Sequence, residues 1–174
     1  MIRDFNMLVT TSRGNEKYAR FELEHLLEEI GDSAPVLHRT GISGLLSLKT
    51  VLDPFEVIAR FRDVLRSRPY EFRFTLRVIP VERIVRTDLK EIQTAVAELA
   101  SKIDKSETFR ITVEKRYTTL SSSEIIQASA AGIKREVNLS KPDKILLIEI
   151  VGGLTGVSVI RPDDVLSTLK EKVL

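Results

Sequence analysis

The segment VEKRYTTLSSSE, residues 113–124, contains the residue types of an anion-binding site. It joins an apolar run to a segment with helical spacing, and the N–H groups and positive dipole end at the start of a helix attract anions. Basic side chains add charge, hydroxyls add hydrogen-bond donors, and an aromatic ring can stack on a nucleic-acid base. The residues with these properties are Lys115, Arg116, Tyr117, Ser121 and Ser122. The segment therefore predicts a site for phosphate or another anion.

The same segment also has a purely structural interpretation. Ser121 and Glu124 have the spacing of a capping box, in which each side chain bonds to the backbone N–H of the other residue. On this interpretation the segment is a polar connector before a well-capped helix, and Lys115 and Arg116 are a solvated basic pair. The residues alone leave both interpretations open.

A second concentration of positive charge lies between residues 60 and 77. It contains six arginines against Asp63 and Glu71, so its net charge is six minus two, or +4. Arginine binds phosphate through a planar fork and stacks on bases, whereas a merely soluble surface could equally use lysine. The candidate contacts with nucleic acid are Arg66, Arg68, Arg73 and Arg77. The alternative is a solvated helix face followed by an exposed strand face.

The composition limits the chemistry that the chain can perform. Its 174 residues include no cysteine, which excludes disulfides and thiolate zinc sites, and only His25 and His38 as histidines. The 27 basic and 25 acidic residues leave a net charge of +2, so only local clusters of charge can favour nucleic acid. We expect no catalytic residue, no metal and no cofactor.

The apolar runs are all shorter than the roughly 18–20 residues that would cross a bilayer. The N-terminal residues also lack the apolar core of a signal peptide. We therefore expect a cytoplasmic protein that does not enter a membrane. The sequence gives no indication of its oligomeric state.

Three further groups of residues suggest function but have a simpler structural interpretation. The glycine-rich stretch 152–156 joins two apolar runs of strand character, so it predicts a hairpin turn rather than a phosphate loop. Asp163 and Asp164 follow Pro162 and suit the first turn of a helix. Glu149 interrupts an apolar run, where a salt-bridged structural carboxylate is favoured over a catalytic one.

The first half of the chain predicts elements in the order β-α-β-β-α-β. Asn15 and Gly31 bracket the first helix, and Asp53, Pro54 and Glu56 open the second with a capping box. This order is the split βαβ pattern of ferredoxin-like folds, in which both helices cover one face of the sheet. In the last strand, residues 71–78, the side chains expected on the helix face are Phe72, Phe74, Leu76 and Val78, and those on the open face are Glu71, Arg73, Thr75 and Arg77.

The second half predicts a different arrangement of helices and strands. Asp88 and Ser121 each begin a helix, and strands at residues 108–114 and 144–151 flank the second helix. A crossover of this length makes the two strands parallel. The side chains expected on the buried side of the Ser121 helix are Ile126, Ala130, Ile133 and Val137. The apolar residues expected in a last helix, opened by Pro162, are Val165, Leu166, Leu169 and Val173.

These elements define the predicted fold class. We predict an α/β (α+β) protein with a ferredoxin-like β-α-β-β-α-β domain at residues 1–78. An α/β domain with a parallel β-α-β core follows at residues 79–174. The boundary is placed at the Ile79-Pro-Val81 sequence, which should interrupt the preceding strand.

Four segments of the second half are similar in sequence and order to one known family. They are PVERIVRTDLKEI, TFRITVEKRYTTLSSSEII, VNLSKPDKILLIEIVG and GVSVIRP. They resemble the THUMP domain of RNA-modifying proteins, and the first half fits the ferredoxin-like domain that accompanies THUMP in that family. In layout, from LVTTSRGNEKYA onward, the chain resembles the stand-alone adaptors of tRNA acetylation.

The resemblance implies a tRNA-binding adaptor without catalytic activity. The THUMP domain would bind the single-stranded 3′ end, the ferredoxin-like domain would lie along the acceptor stem, and the partner would be an RNA-modifying enzyme, a cytidine acetyltransferase. The RNA-binding candidates carried over by position, with the neighbouring Lys141 added, are Arg110, Lys115, Arg116, Lys134, Arg135, Lys141 and the pair Pro142-Asp143. The alternatives are a metabolite-sensing or protein-interaction module that does not bind RNA, and a small enzyme that uses Glu149 and Lys115.

Overall fold

The computed structural model describes residues 4–172. The chain forms two compact units, of which the first combines the described residues up to Val81 with those from Asp164 onward, and the second is Glu82–Asp163. The predicted domains, 1–78 and 79–174, stay a prediction, and Val173 of the predicted last helix lies outside the described residues. No helix within residues 4–172 is long and apolar enough to cross a membrane.

The first unit contains a five-stranded antiparallel sheet and two long helices. Its elements are β1 (Met7–Thr11), α1 (Glu16–Ile30), β2 (Val36–Arg39), β3 (Leu45–Lys49), α2 (Pro54–Ser67) and β4 (Thr75–Pro80), followed after the second unit by β10 (Leu166–Ser167) and α5 (Thr168–Glu171). The strand order is β10-β4-β1-β3-β2. The part β4-β1-β3-β2 is the antiparallel order of a ferredoxin-like fold, which confirms the predicted fold class.

Local signals explain where the helices of the first unit begin and end. Gly31 adopts a φ of 119° and its N–H bonds to the carbonyl groups of the last turn of α1, a conformation that glycine reaches at little cost. Asp53 caps α2 through the N–H of Phe55 at 2.8 Å, ahead of Pro54. The N-cap at Asp53 was predicted correctly, but the predicted capping box with Glu56 is wrong, because the Asp53 carboxylate bonds to the N–H of Phe55 instead of to that of Glu56.

The strand predicted at residues 71–78 begins later, at Thr75. A short 3-10 helix occupies Pro69–Glu71, and the carboxylate of Glu22 then accepts the N–H groups of Arg73, Phe74 and Thr75 at 2.7–3.3 Å. These donors are satisfied by a side chain, so the segment before Thr75 has less need of a strand partner. Thr75 is only 1% exposed, and the prediction that it lies on an open face is wrong.

The face of this sheet opposite the helices is also buried at its centre. Met7 and Val9 of β1 pack into the core beneath α1 and α2. Leu8 and Ile79, which alternate with core residues and are paired in register, are both fully buried. The sheet is therefore covered on both faces there. The strand break predicted at residues 79–81 is also wrong, because β4 continues to Pro80, which pairs with Met7.

The C-terminal segment differs most from its prediction. Instead of a helix from Pro162, β10 pairs with β4 in antiparallel register and only then does the four-residue helix α5 follow. Leu166 is fully buried, the hydroxyl of Thr168 donates to the carbonyl of Thr75 at 2.8 Å, and Leu169 is 76% exposed. Leu166 is thus buried as a residue of β10, whereas Leu169 lies in α5 and faces solvent. Asp163 and Asp164 precede a strand rather than occupy a helical turn.

The second unit is a mixed sheet with helices α3 and α4. Its elements are β5 (Arg83–Arg86), α3 (Leu89–Leu99), β6 (Thr108–Arg116), α4 (Ser122–Ala130), β7 (Glu136–Val137), β8 (Lys144–Val151) and β9 (Leu154–Ile160). The strand order is β5-β9-β8-β6-β7. Strands β6 and β8 are parallel as predicted, and β8 turns into antiparallel β9 at Gly152, whose φ is +58°. Strands β5 and β7 were not predicted.

The buried side of α4 lies one residue away from its predicted position. Ile125 and Ser129 are fully buried, whereas Ile126 is 38% and Val137 is 56% exposed. Ile133 is buried as predicted, and Ala130 is partly buried. Helix α4 is short and ends at Ala130, so Val137 belongs to the edge strand β7 and not to a helix. The adjacent residues Ile125 and Ile126, followed by small residues, did not distinguish the two possible faces.

Leu166 and Leu169 test the structure of the C-terminal segment. Leu166→Ala should lower the free energy of unfolding by about 2–5 kcal/mol, because it removes a fully buried side chain from a packed core. Leu169→Ala should change it by less than about 0.5 kcal/mol, because Leu169 is exposed. Urea denaturation followed by circular dichroism measures both values. Equal destabilisation by the two variants would favour the helix that the sequence predicts.

Candidate nucleic-acid interface

The segment 113–124 forms the corner between β6 and α4, and the predicted capping box is present. Ser121 Oγ accepts the N–H of Glu124 at 3.1 Å, and Glu124 Oε2 accepts the N–H of Ser121 at 3.0 Å. The backbone N–H and the hydroxyl of Ser121 lower the pKa of Glu124. The capping box uses the N–H group of Glu124. The N–H groups of Ser122 and Ser123 lie in the first turn of α4, where the backbone donors of a helix have no intrahelical partner.

Tyr117 has a backbone conformation that is rare for its residue type. Its φ is +56°, which is the only positive φ of a non-glycine residue between residues 4 and 172. A bulky side chain in this region stores strain of about 1–3 kcal/mol. The ring is nevertheless 79% exposed. The fold therefore holds an aromatic ring in solvent at the carboxyl end of the parallel strands, where open α/β sheets bind ligands.

The two basic residues of the corner have different environments. Lys115 is exposed, and its ammonium approaches the carbonyl of Leu120 at 3.4 Å. Arg116 forms an ion pair at 2.8 Å with Glu149, whose side chain is 1% exposed, while that of Arg116 is 18% exposed. Glu149 is therefore buried and salt-bridged, as the structural interpretation of its sequence context predicts. Arg116 is not the solvated residue that the structural interpretation of the segment assumed.

The other basic candidates of the second unit lie at the opposite end of β6. Thr108, the first residue of β6, aligns with Glu136, so Lys134 and Arg135 lie near the start of the strand. Eight steps of about 3.3 Å put this end about 26 Å from Arg116. Lys134 and Lys141 are exposed. The predicted residues of this unit thus form two groups, which we call the corner (Lys115–Ser122) and the lower group (Lys134–Lys141 with Arg110).

Several side chains near the lower group have structural partners. Arg135 donates to the carbonyl groups of Ile103 and Asp104 at 2.9 and 3.1 Å, and Arg110 donates to that of Leu139 at 3.0 Å. Asp143 accepts both the N–H and the hydroxyl of Thr108, which lower its pKa. Pro142 is buried. The exposed lysines are therefore the more accessible cations at this end.

The candidate arginines of the first unit are also divided. Arg68 forms ion pairs with Glu29 and Glu71, which raise its pKa, with Glu29 contributing most. Arg66 and Arg73 are exposed, and Arg77 is half-buried in β4. The guanidinium of Arg73 lies 5.8 Å from the centre of the Phe74 ring. The four candidate arginines therefore do not form one continuous basic surface: Arg66 and Arg73 are exposed to solvent, whereas Arg68 is ion-paired.

Sequence reasoning missed the exposed aromatic residues of α1. Tyr18 is 53% exposed and stacks on Phe74 with 5.2 Å between ring centres, and Phe21 is 54% exposed with the ammonium of Lys17 at 5.9 Å from its centre. Large aromatic residues on the polar side of an amphipathic helix were the available signal.

Within residues 4–172 there is no cluster of three or more potential metal-ligating side chains.

Solved structures with a similar fold are considerably longer than this chain. Residues 86–160, which lie within the second unit, match the family model of the THUMP domain. A search of curated protein sequences gives no match.

Three solved structures illustrate the similarity in fold. PH1313 from Pyrococcus horikoshii has a TM-score of 0.59 at 18% identity, over 90% of this chain and 55% of its own. TrmN from Thermus thermophilus has a TM-score of 0.55 at 13% identity, over 90% and 46%. A possible methylase from Clostridium difficile has a TM-score of 0.56 at 15% identity, over 90% and 41%. The chain spans about half the length of these proteins.

The ion pair of Arg116 predicts a stability effect that distinguishes it from its neighbour. Arg116→Ala should lower the free energy of unfolding by about 3 kcal/mol, because it removes the cation from a buried carboxylate. Lys115→Ala should change it by less than about 0.5 kcal/mol, because Lys115 is exposed. Chemical denaturation of both variants measures the difference. Similar stability of the two variants would contradict a structural role for Arg116.

Proposed function

We propose that the protein is a tRNA-binding adaptor that presents the 3′ end and acceptor stem of tRNA to an RNA-modifying enzyme. The observation that carries the proposal is the corner of the THUMP domain, where the fold holds an exposed Tyr117 ring beside Lys115 and the start of α4. A strained residue at a strand end is a frequent feature of binding sites. The resemblance to the THUMP family supplies the identity of the ligand.

The chemistry of the corner suits an unpaired RNA end. Proteins read single-stranded RNA by stacking aromatic rings on its bases and by bonding to its exposed edges. Tyr117 offers the ring, Lys115 offers a charge for a phosphate, and Ser122 and Ser123 offer N–H groups in the first turn of α4. Arg116 has a positioning role here, because its guanidinium bonds to Glu149 beneath the corner.

The finer parts of the proposal concern the partner and the absence of catalysis. The stand-alone adaptors that the chain resembles act with a cytidine acetyltransferase, and we extend this partnership, with a cytoplasmic location, to the present protein.

An enzyme that uses Glu149 and Lys115 would need the two side chains together. Lys115 aligns with Ile150 of the core, whereas Glu149 alternates with Ile148 and Ile150 and so lies on the other sheet face.

Binding of intact and trimmed tRNA by wild type and Tyr117→Gly tests the proposed contact with the 3′ end. Trimming the single strand and removing the ring should each weaken binding by more than about 1 kcal/mol, the value of one stacked base. The two effects should not add, because they remove the same contact. The stability of Tyr117→Gly should not fall, because glycine adopts a positive φ without strain.

The outcomes of this cycle separate the parts of the proposal. If the losses of binding free energy add, Tyr117 contacts a part of the RNA other than the 3′ end. Equal affinity for intact and trimmed tRNA would exclude the 3′ end as the ligand. Tyr117→Phe is the matched control, since it keeps the ring and should keep affinity. Failure of the wild-type protein to bind any tRNA would favour the metabolite-sensing or protein-interaction alternative, which titration with small metabolites and identification of co-purifying proteins would then examine.

Alanine variants at the two ends of β6 identify which group of cations contacts phosphate. Lys115→Ala should reduce the slope of log affinity against log salt concentration by up to about one unit, because one phosphate contact is lost. The double variant Lys134→Ala/Lys141→Ala reports on the lower group, and Lys105→Ala is a control at an exposed lysine. A slope that changes only in the double variant would move the RNA to the lower group.

A further inference from the structure

The first unit contains a groove that the proposed RNA contacts do not use. It lies beside α1 and the edge strand β2, and its cavity volume is about 300 Å³, within the range of small-molecule sites. Its lining residues are Glu16, Lys17, Arg20, Phe21, Arg39 and Leu46. Arg39 pairs in register with Leu46 of β3, so the two side chains are neighbours on the sheet. The groove therefore places a basic side chain next to an apolar one that is buried in the core.

The carboxylate in the groove is already bonded to the backbone. Glu16 Oε1 accepts the N–H of Gly44 at 2.8 Å, and its pKa is lowered first by this bond, then by its own N–H and that of Gly14, and to a smaller degree by the charge of Arg39. The acid is therefore ionised at neutral pH, but backbone N–H groups bond to its oxygens. It opposes an anion in the groove less than an unbonded carboxylate would.

The cations of the groove differ in their availability. Arg20 forms an exposed ion pair with Glu24 at 2.9 Å. Lys17 and Arg39 are both exposed, and within residues 4–172 neither side chain forms an ion pair or a hydrogen bond. These two cations can therefore bind an anion without first releasing an ion-pair partner.

Phe21 gives the groove a second kind of recognition. The ring is 54% exposed, and the ammonium of Lys17 lies 5.9 Å from its centre, so a cation and a flat apolar surface lie side by side. A ligand that uses both features combines an anionic group with a planar ring. We propose that this groove binds a nucleotide, with its phosphate at Lys17 and Arg39 and its base against Phe21.

This inference is independent of the proposed corner site, because the two share no residue. The nucleotide can belong to a free mononucleotide or to an RNA chain, since both present the same phosphate and base. The features that would recognise either are charge-assisted bonds to phosphate and stacking of the base.

Calorimetric titration with adenosine monophosphate, adenosine and inorganic phosphate tests the groove directly. The monophosphate should bind one site per chain, and more tightly than either of its parts. Lys17→Ala/Arg39→Ala should weaken its binding by about tenfold or more, since two charged contacts are lost. Phe21→Ala should weaken the binding of adenosine monophosphate but not that of phosphate. Arg60→Ala removes one exposed arginine of α2 and should leave binding unchanged.

A parallel titration with tRNA identifies the source of the nucleotide. Binding of the free monophosphate with unchanged tRNA affinity in Lys17→Ala/Arg39→Ala identifies a free mononucleotide as the ligand. Weaker tRNA binding in that variant, with a smaller salt slope, identifies an RNA nucleotide. The inference is overturned if the monophosphate does not bind at millimolar concentration and the variant binds tRNA as the wild type does. If the wild-type protein binds no tRNA, the monophosphate titration alone decides.

Discussion

The ion pair between Arg116 and Glu149 holds the end of β6, and the geometry of the corner depends on it. Glu149 lies in the middle of a strand whose residues are almost all buried, so its charge needs a partner that the parallel neighbour supplies. Once Arg116 is held over the sheet, the chain leaves β6 at a fixed point. Tyr117 then turns through a positive φ, and the capping box fixes the start of α4. A buried charge pair, costly in itself, thus lies directly before the exposed corner and holds the residue from which the corner begins.

The parts of the fold that the sequence predicts correctly are those specified by local chemistry or by long uniform patterns. The capping box at Ser121, the cap at Asp53 and the glycine end of α1 depend on a few adjacent residues. The continuous apolar run of β8 requires cover on both faces, and the length of the crossover requires parallel pairing with β6. The same features place the corner correctly at a strand end before a helix.

The errors arise where a distant partner decides the structure. Glu22 binds the N–H groups of residues 73–75 from another element, and its spacing to them, about fifty residues, carries no local signal. The salt bridge partner of Arg116 and the register that sets Arg39 beside Leu46 also require the tertiary fold. Charge alone therefore suggested two similar cations at 115 and 116, whereas burial separates an exposed lysine from an ion-paired, largely buried arginine.

The return of the C-terminal residues to the first unit constrains how that unit forms. The edge of β4 is covered by β10, which follows the entire second unit in the chain, and Arg62 of α2 pairs with Glu171 at 2.6 Å. Contacts between such distant residues form late, because the entropy of closing the intervening chain must be offset first. Until β10 pairs, β4 is an edge strand with free backbone groups on one side. The ferredoxin-like sheet therefore reaches its final five strands only when the two ends of the segment 82–163 have come together, whatever the order in which that segment itself folds.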